Sequence, residues 1–164
     1  MDHILLTMDN TKPWFEEIPM PALLRHARTT YGVTMRQALE EAGYDDIPKN
    51  GLYIIGGLLI DGGRIPLGQM IKELRISKQA AGQLVDMLVL RGYLERSADP
   101  EDRRKLTVRL TERGRAAAMT QSAAREKIDA ELIARIGKES VSQTRKTLAV
   151  LIDIGQQHEV EDEE

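Results

Sequence analysis

The sequence contains no cysteine. Disulfides, thiolate metal sites and thiol redox sensing are therefore excluded, and a reducing cytoplasm is the expected compartment. Histidine is scarce as well: His3, His26 and His158 are too scattered for a metal motif, so neither a metal nor a cofactor is expected. Aromatic residues make up only 4% of the chain. The longest apolar run, Leu52 to Ile60, is about half of what a membrane span needs, and no membrane role is expected. The N-terminal stretch has no basic segment ahead of its short apolar piece, which argues against a secretory signal. Signatures of common enzymes are missing too. "GGLLIDGG" lacks the Lys-Ser/Thr of a phosphate-binding loop, and neither G-x-S-x-G nor H-E-x-x-H occurs. The acid pairs Glu40-Glu41 and Asp45-Asp46 adjoin a helix end and are expected to face water. No catalytic residue is expected.

What is present is a polarised charge. The chain totals −3, yet the segment 64–115 holds 12 Lys and Arg against 7 Asp and Glu, a surplus of +5. A basic middle between acidic ends is the footprint of a nucleic-acid surface on a protein that otherwise repels nucleic acid.

Periodicity organises the chain around that segment. Residues 1–18 form an irregular arm with Trp14 and Phe15. From Met20, apolar residues at helical spacing run through Leu23, Leu24, Ala27, Tyr31, Met35 and Leu39 to a stop at Gly43. "GLYIIGGLLI" is apolar nearly all round and reads as a short buried helix, with a strand as the alternative, and "DGGR" is a turn. "PLGQMIKELR" (66–75) and "KQAAGQLVDMLVLRG" (78–92) are two helices joined by a brief turn. Ser77 is the N-cap of the second and Gly92 its C-terminal stop. Ala80, Ala81, Leu84, Val85 and Leu88 form its packed face. "YLERS" and "RKLTVRLT" then switch to period two, giving two strands of a hairpin around "ADPEDR", with Leu106, Val108 and Leu110 inward and Lys105, Thr107 and Arg109 outward. Thr111 caps a helix that runs to Gly137. At about 1.5 Å per residue it is about 40 Å long, too long for a small domain's interior. A last helix, about 139–157, carries Val141, Leu148, Leu151 and Ile152, and an acidic tail expected to be disordered ends the chain.

Helix, short turn, helix and basic-tipped hairpin in this order form a winged helix-turn-helix. The second helix fits the DNA major groove, and its outward face carries Ser77, Lys78, Gln79, Gln83 and Asp86. Gln can pair with adenine in bidentate fashion, and Lys can pair with guanine or a phosphate. The expected class is mainly α with a small β-wing.

The stretch "ISKQAAGQLVDMLVLRGYLERSADPEDRRKLTVRLTERG" resembles the recognition helix and wing of the MarR family of bacterial transcription regulators. Asp102-Arg103-Arg104 followed by Leu110-Thr111 and Gly114 is similar to the family's D-x-R…L-T-x-x-G wing, and "LVLRGYLER" is similar to its L-x-x-R-G-L-V-x-R helix exit. The resemblance implies that Asp102 orients Arg104, that Arg104 enters the minor groove, and that Arg103 and Lys105 sit against phosphates. It also implies a cytoplasmic homodimer on a pseudo-palindromic operator in double-stranded DNA, acting as a repressor and released by a small-molecule effector. His26, Tyr31 and Met35 are the candidates for contacting that effector. The chain departs from the family pattern at Gly82, where a hydroxyl is common, and at Gln83, where a basic residue is common.

The expected organisation is then an arm (1–18), an N-terminal dimerisation helix (19–46), a winged helix-turn-helix (47–112), C-terminal dimerisation helices (113–158) and an acidic tail (159–164). Two other functions compete with DNA-binding regulation. One is a winged-helix module for protein interaction, and the other is an enzyme without a recognisable motif. Neither accounts for the basic wing.

Overall fold

The structure is a computed structural model that describes residues 12–60, 62, 64–66, 76–98 and 106–161. The first helix of the helix-turn-helix, expected at 66–75, and the wing tip with Asp102, Arg103, Arg104 and Lys105 lie outside the described residues beyond Pro66. The chain divides into two compact units, 1–122 and 123–164.

The first unit opens with a single 3₁₀ turn, Trp14–Glu16, where Trp14 and Phe15 meet edge to face at 5.9 Å and both stay exposed. Helix α1 (Met20–Glu41) begins at a Pro-rich N-terminus, where a missing N–H costs nothing. It buries Met35 and Leu39. Helix α2 (Gly51–Ile60) realises the helical alternative for the apolar run and buries Leu52, Ile54, Ile55 and Leu58. Helix α3 (Lys78–Leu90) starts at Ser77, whose Oγ accepts the Ala80 N–H at 3.1 Å. It buries Ala81, Leu84, Val85 and Leu88. Ala80 is exposed, unlike its expected place on the packed face, because it lies one helical step, about 100°, before Ala81.

Helix α3 ends in a left-handed turn. Gly92 has φ +76°, a conformation in which a side chain is strained, and the Tyr93 N–H closes back onto the Leu88 carbonyl at 2.9 Å. The strands follow. The sheet has three strands rather than the expected hairpin pair, in the order β1 (Arg64–Pro66), β3 (Leu106–Leu110), β2 (Leu94–Ala98), all antiparallel. The segment 64–66 was too short to carry a period-two signal, and its Pro66 is tolerated because β1 is an edge strand. Strand β3 is therefore central. That explains why Thr107, expected to face outward, is buried: its hydroxyl meets Ser97 Oγ across the ladder at 2.8 Å, so the buried polar group is satisfied. Arg109 does face outward and pairs with Glu95, its cross-strand partner, at 2.6 Å.

The core joins these elements: Leu39, Ile55, Leu58, Val85, Leu88, Tyr93, Leu94 and Val108 are all fully buried. Helix α4 (Glu112–Ile136) closes the unit with Ala117, Ala118 and Gln121, and Gln121 Nε2 donates to the Leu52 carbonyl of α2 at 3.0 Å. The strand-to-helix junction is the tightest point. Thr111 Oγ1 accepts the Gly114 N–H at 3.0 Å, the capping role expected of it, and also donates to the Gly92 carbonyl at 2.5 Å. Gly114 sits against the Tyr93 carbonyl so closely that a Cβ there would lie 2.0 Å from that oxygen.

In the second unit, the rest of α4 and helix α5 (Lys138–Glu161) bury Ala124 and Val141, and Arg145 pairs with Asp129 at 3.7 Å. Helix α5 runs to Glu161, further than the expected disordered tail allowed, because Gln and Glu are good helix formers and no breaker intervenes.

The Gly114 contact gives a direct test. Gly114→Ala must push apart two backbone segments, so it should destabilise the protein by about 2–3 kcal/mol. That corresponds to a fall in Tm of about 5–10 °C in a thermal melt. Gly82→Ala, where a Cβ meets nothing within 4 Å, should instead leave Tm unchanged or raise it.

Candidate nucleic-acid interface

The exposed end of α3 is built by its own cap. With Ser77 holding the Ala80 N–H, the helix starts at Lys78, and Lys78, Gln79 and Gln83 are all exposed. Gln79 and Gln83 are four residues apart and share one face. Asp86, three residues further on, is held by Arg96 of β2 in an ion pair, so recognition helix and wing are joined at that point. A helix N-terminus carries partial positive charge and free N–H groups, which favours a phosphate beside it. Of the eight residues expected at the DNA surface, the structure thus brings four together: Ser77, Lys78, Gln79 and Gln83. Ser77 does so as the cap. The other four, Asp102, Arg103, Arg104 and Lys105, lie outside the described residues.

The sequence reading missed a polar clamp that fixes this surface from behind. Tyr93, at the exit of α3, donates its hydroxyl proton to Asp46 Oδ1, and Arg91 donates to the Asp46 carbonyl. Arg113 of α4 reaches both, at 3.2 Å from Asp46 Oδ1 and 3.0 Å from the Tyr93 hydroxyl, with its guanidinium 4.6 Å above the Tyr93 ring. Asp46 was expected to face water. It is instead half-exposed and engaged, because the turn after α1 carries it to the start of the wing. The Tyr93 hydrogen bond, with help from Arg113, holds the Asp46 carboxyl below its usual range against a smaller opposing effect of burial. Burial, reinforced by Asp46, pushes the Tyr93 hydroxyl up. The Arg-Gly-Tyr at 91–93 was visible as part of a motif, but its partner Asp46, 45 or more residues earlier, left no local signal.

Of the effector candidates, His26 is exposed, Tyr31 is half-buried and Met35 turns into the core. None of them lines the groove between α1 and α2, which is formed by the neighbouring face of α1. Among the described residues, no group of three or more His, Asp or Glu could hold a metal ion, and no helix is long and apolar enough to cross a membrane.

A helix with an exposed polar N-terminus, a three-residue turn and a small antiparallel sheet, all packed under flanking helices, is the winged-helix arrangement. Residues 50–105 match the MarR family model. Solved structures agree in fold. FabT from Streptococcus pneumoniae, in complex with DNA, is 20% identical with a TM-score of 0.70, over 84% of this chain and 96% of that one. A mutant MarR from E. coli, complexed with operator DNA, is 20% identical with a TM-score of 0.63, over 86% and 99%. A transcriptional regulator from Thermotoga maritima is 25% identical with a TM-score of 0.55, over 85% and 96%. No curated protein matches the chain. Over residues 50–105 the chain is thus similar to the MarR family, and across most of its length it shares the fold of these solved structures.

The clamp makes stability depend on pH at the acid end. A carboxyl held below its usual value stabilises the fold above the unfolded-state value of 3.8, and that contribution is lost as pH falls through the lower folded-state value. Urea titrations should therefore find Asp46→Asn less stable than the parent from about pH 5 to 8, with the gap closing below about pH 4. A gap that stays constant down to acid pH would place the stabilisation elsewhere.

Proposed function

We propose that the chain is a sequence-specific regulator of transcription that binds double-stranded DNA. It acts as a homodimer on a pseudo-palindromic operator, as a repressor that a small-molecule effector releases. The observation that carries this reading is the exposed Lys78-Gln79-Gln83 face at the capped start of α3, next to a wing. The clustered positive charge of 64–115 supports it, as do the DNA complexes of the FabT and MarR structures with the same fold. In this reading Gln79 and Gln83 contact base edges and Lys78 a phosphate or guanine. Arg104, oriented by Asp102, enters the minor groove, where a narrow A·T-rich groove concentrates negative potential. Arg103 and Lys105 lie along the backbone. A protein-interaction module would have no use for such a tip.

The homodimer rests on apolar surface. Leu148, Val150, Leu151, Ile152 and Ile154 of α5 are all exposed, as are Ile133 and Ile136 near the end of α4. Leu148, Leu151 and Ile152 fall on one side of α5, and exposed apolar residues gathered in this way favour an association surface. A two-fold pair of recognition helices would engage half-sites about 34–36 Å apart.

Fluorescence anisotropy on a bound DNA site tests the contacts. Affinity should fall steeply with salt, and Lys78→Ala should lower the slope of log K against log salt by about 1. Gln79→Ala and Gln83→Ala should each lose about 1–3 kcal/mol of discrimination at one base position. Arg104→Ala should weaken binding to sites with an A·T-rich flank more than to those without. An Arg104→Ala protein that binds as tightly as the parent would contradict the wing assignment. Sedimentation of Leu151→Asp should give a monomer if α5 is in the dimer interface.

A further inference from the structure

An open groove of about 680 Å³ lies between α1 and α2, within the usual size range of small-molecule sites. Arg25, Arg28 and Arg36 line it from α1, Lys49 lines it from the segment before α2, and no carboxylate is among its lining residues. The three arginines share one helix face, because offsets of three and eleven residues return close to the same side at 3.6 residues per turn. Among the described residues, none of the four cations pairs with a carboxylate.

Two of these cations are held in place. Arg36 donates to the carbonyls of Ile47 and Lys49 at 3.1 and 3.3 Å. Arg28 donates through Nε to the Tyr53 hydroxyl at 3.1 Å, and its guanidinium lies 4.8 Å from the centre of the Tyr53 ring. Like charges gathered in a concave site repel one another and focus a positive potential that an anion relieves. Guanidinium forks match the oxygens of a phosphate in geometry as well as charge. Val33, which is 61% exposed, and the Tyr53 ring add apolar surface beside the charges. Gly32 lies in the middle of the arginine face. A Cβ there would approach only the Tyr53 hydroxyl, at 4.0 Å, so packing does not demand the glycine. Its effect is to leave the groove floor open.

We propose that this groove binds an organic phosphate: two or more negative charges carried by an apolar or planar group. Four cations outmatch a single carboxylate, and the apolar wall gives the organic part a surface. That such a ligand acts as the effector rests on the DNA-binding reading above; the binding itself does not.

Calorimetric titration of the full chain with ATP and with coenzyme A tests the site, with adenosine and benzoate as controls. At least one of the two phosphates should bind about tenfold or more tightly than either control. The double variant Arg25→Gln/Arg28→Gln should lose about tenfold or more of that affinity. Gly32→Leu, which keeps every cation but fills the floor, should lose it too. Both variants should melt with the parent and bind operator DNA as the parent does without ligand. Equal binding of phosphate and adenosine, no phosphate binding, or variants that bind like the parent would overturn the proposal. So would operator binding that weakens in the ligand-free variants, because the groove would then be a contact for DNA phosphate. Failed titrations with operator binding intact remove only this site. Phosphate binding without operator binding removes only the DNA-binding reading.

Discussion

The backbone around Tyr93 is the point on which the first unit depends. Its carbonyl accepts the Thr111 N–H at 3.1 Å and lies against the α-carbon of Gly114, while its side chain is fully buried and ends in the Asp46–Arg113 clamp. Three elements with different tasks meet there. Helix α3 gives way to the turn at Gly92, strand β2 begins at Leu94, and α4 begins just beyond Thr111. Because the contact is backbone to backbone, it admits no side chain at position 114 and no looser spacing. The orientation of α3 relative to the start of α4 is fixed by sterics and four hydrogen-bonding partners, and the exposed Lys78-Gln79-Gln83 face inherits that orientation.

This explains why the Leu-Thr-x-x-Gly segment was such a clear signal in the sequence. The threonine is both a helix cap and a staple to the Gly92 carbonyl, and the glycine is the only residue that fits beneath Tyr93. Features whose cause is local were legible in this way: the Ser77 cap, the Gly92 stop, the alternation that built β3, and the helical period of α1 and α3. Features whose cause is distant were not. Strand β1 is three residues long and exists because β3 offers it an edge. Thr107 is buried for the same reason, since period two says which residues alternate but not that both sides of the strand are occupied. Asp46 looked like one of two solvated acids, and only the fold brings Tyr93, Arg91 and Arg113 to it. The arginines of α1 did recur on one face. Helical period alone shows that they share a face, but not that α2 and Lys49 come up beside it to close a groove.

The charge distribution has a similar division. Three cations of 64–115 are paired in the fold, Arg96 with Asp86, Arg109 with Glu95 and Arg113 with Asp46; only Asp46 lies outside the segment, so the basic surplus is almost untouched. Exposed pairs of this kind are worth about 0–1 kcal/mol each, so their value lies in holding positions more than in stability. Lys78, at the start of α3, is left to face outward. On the groove face of α1, Arg25, Arg28 and Arg36 gather, and among the described residues no carboxylate pairs with them. Lys78 thus stands exposed at a helix end, while Arg25, Arg28, Arg36 and Lys49 line a groove between two helices.

The central claim is that the capped end of α3 and its wing recognise a DNA sequence. Selection of bound duplexes from a random pool tests it most directly. The account predicts enrichment of an inverted repeat whose half-sites are centred about one helical turn apart. A pool that stays random after repeated selection, at a salt concentration where the protein still retains DNA, would contradict it.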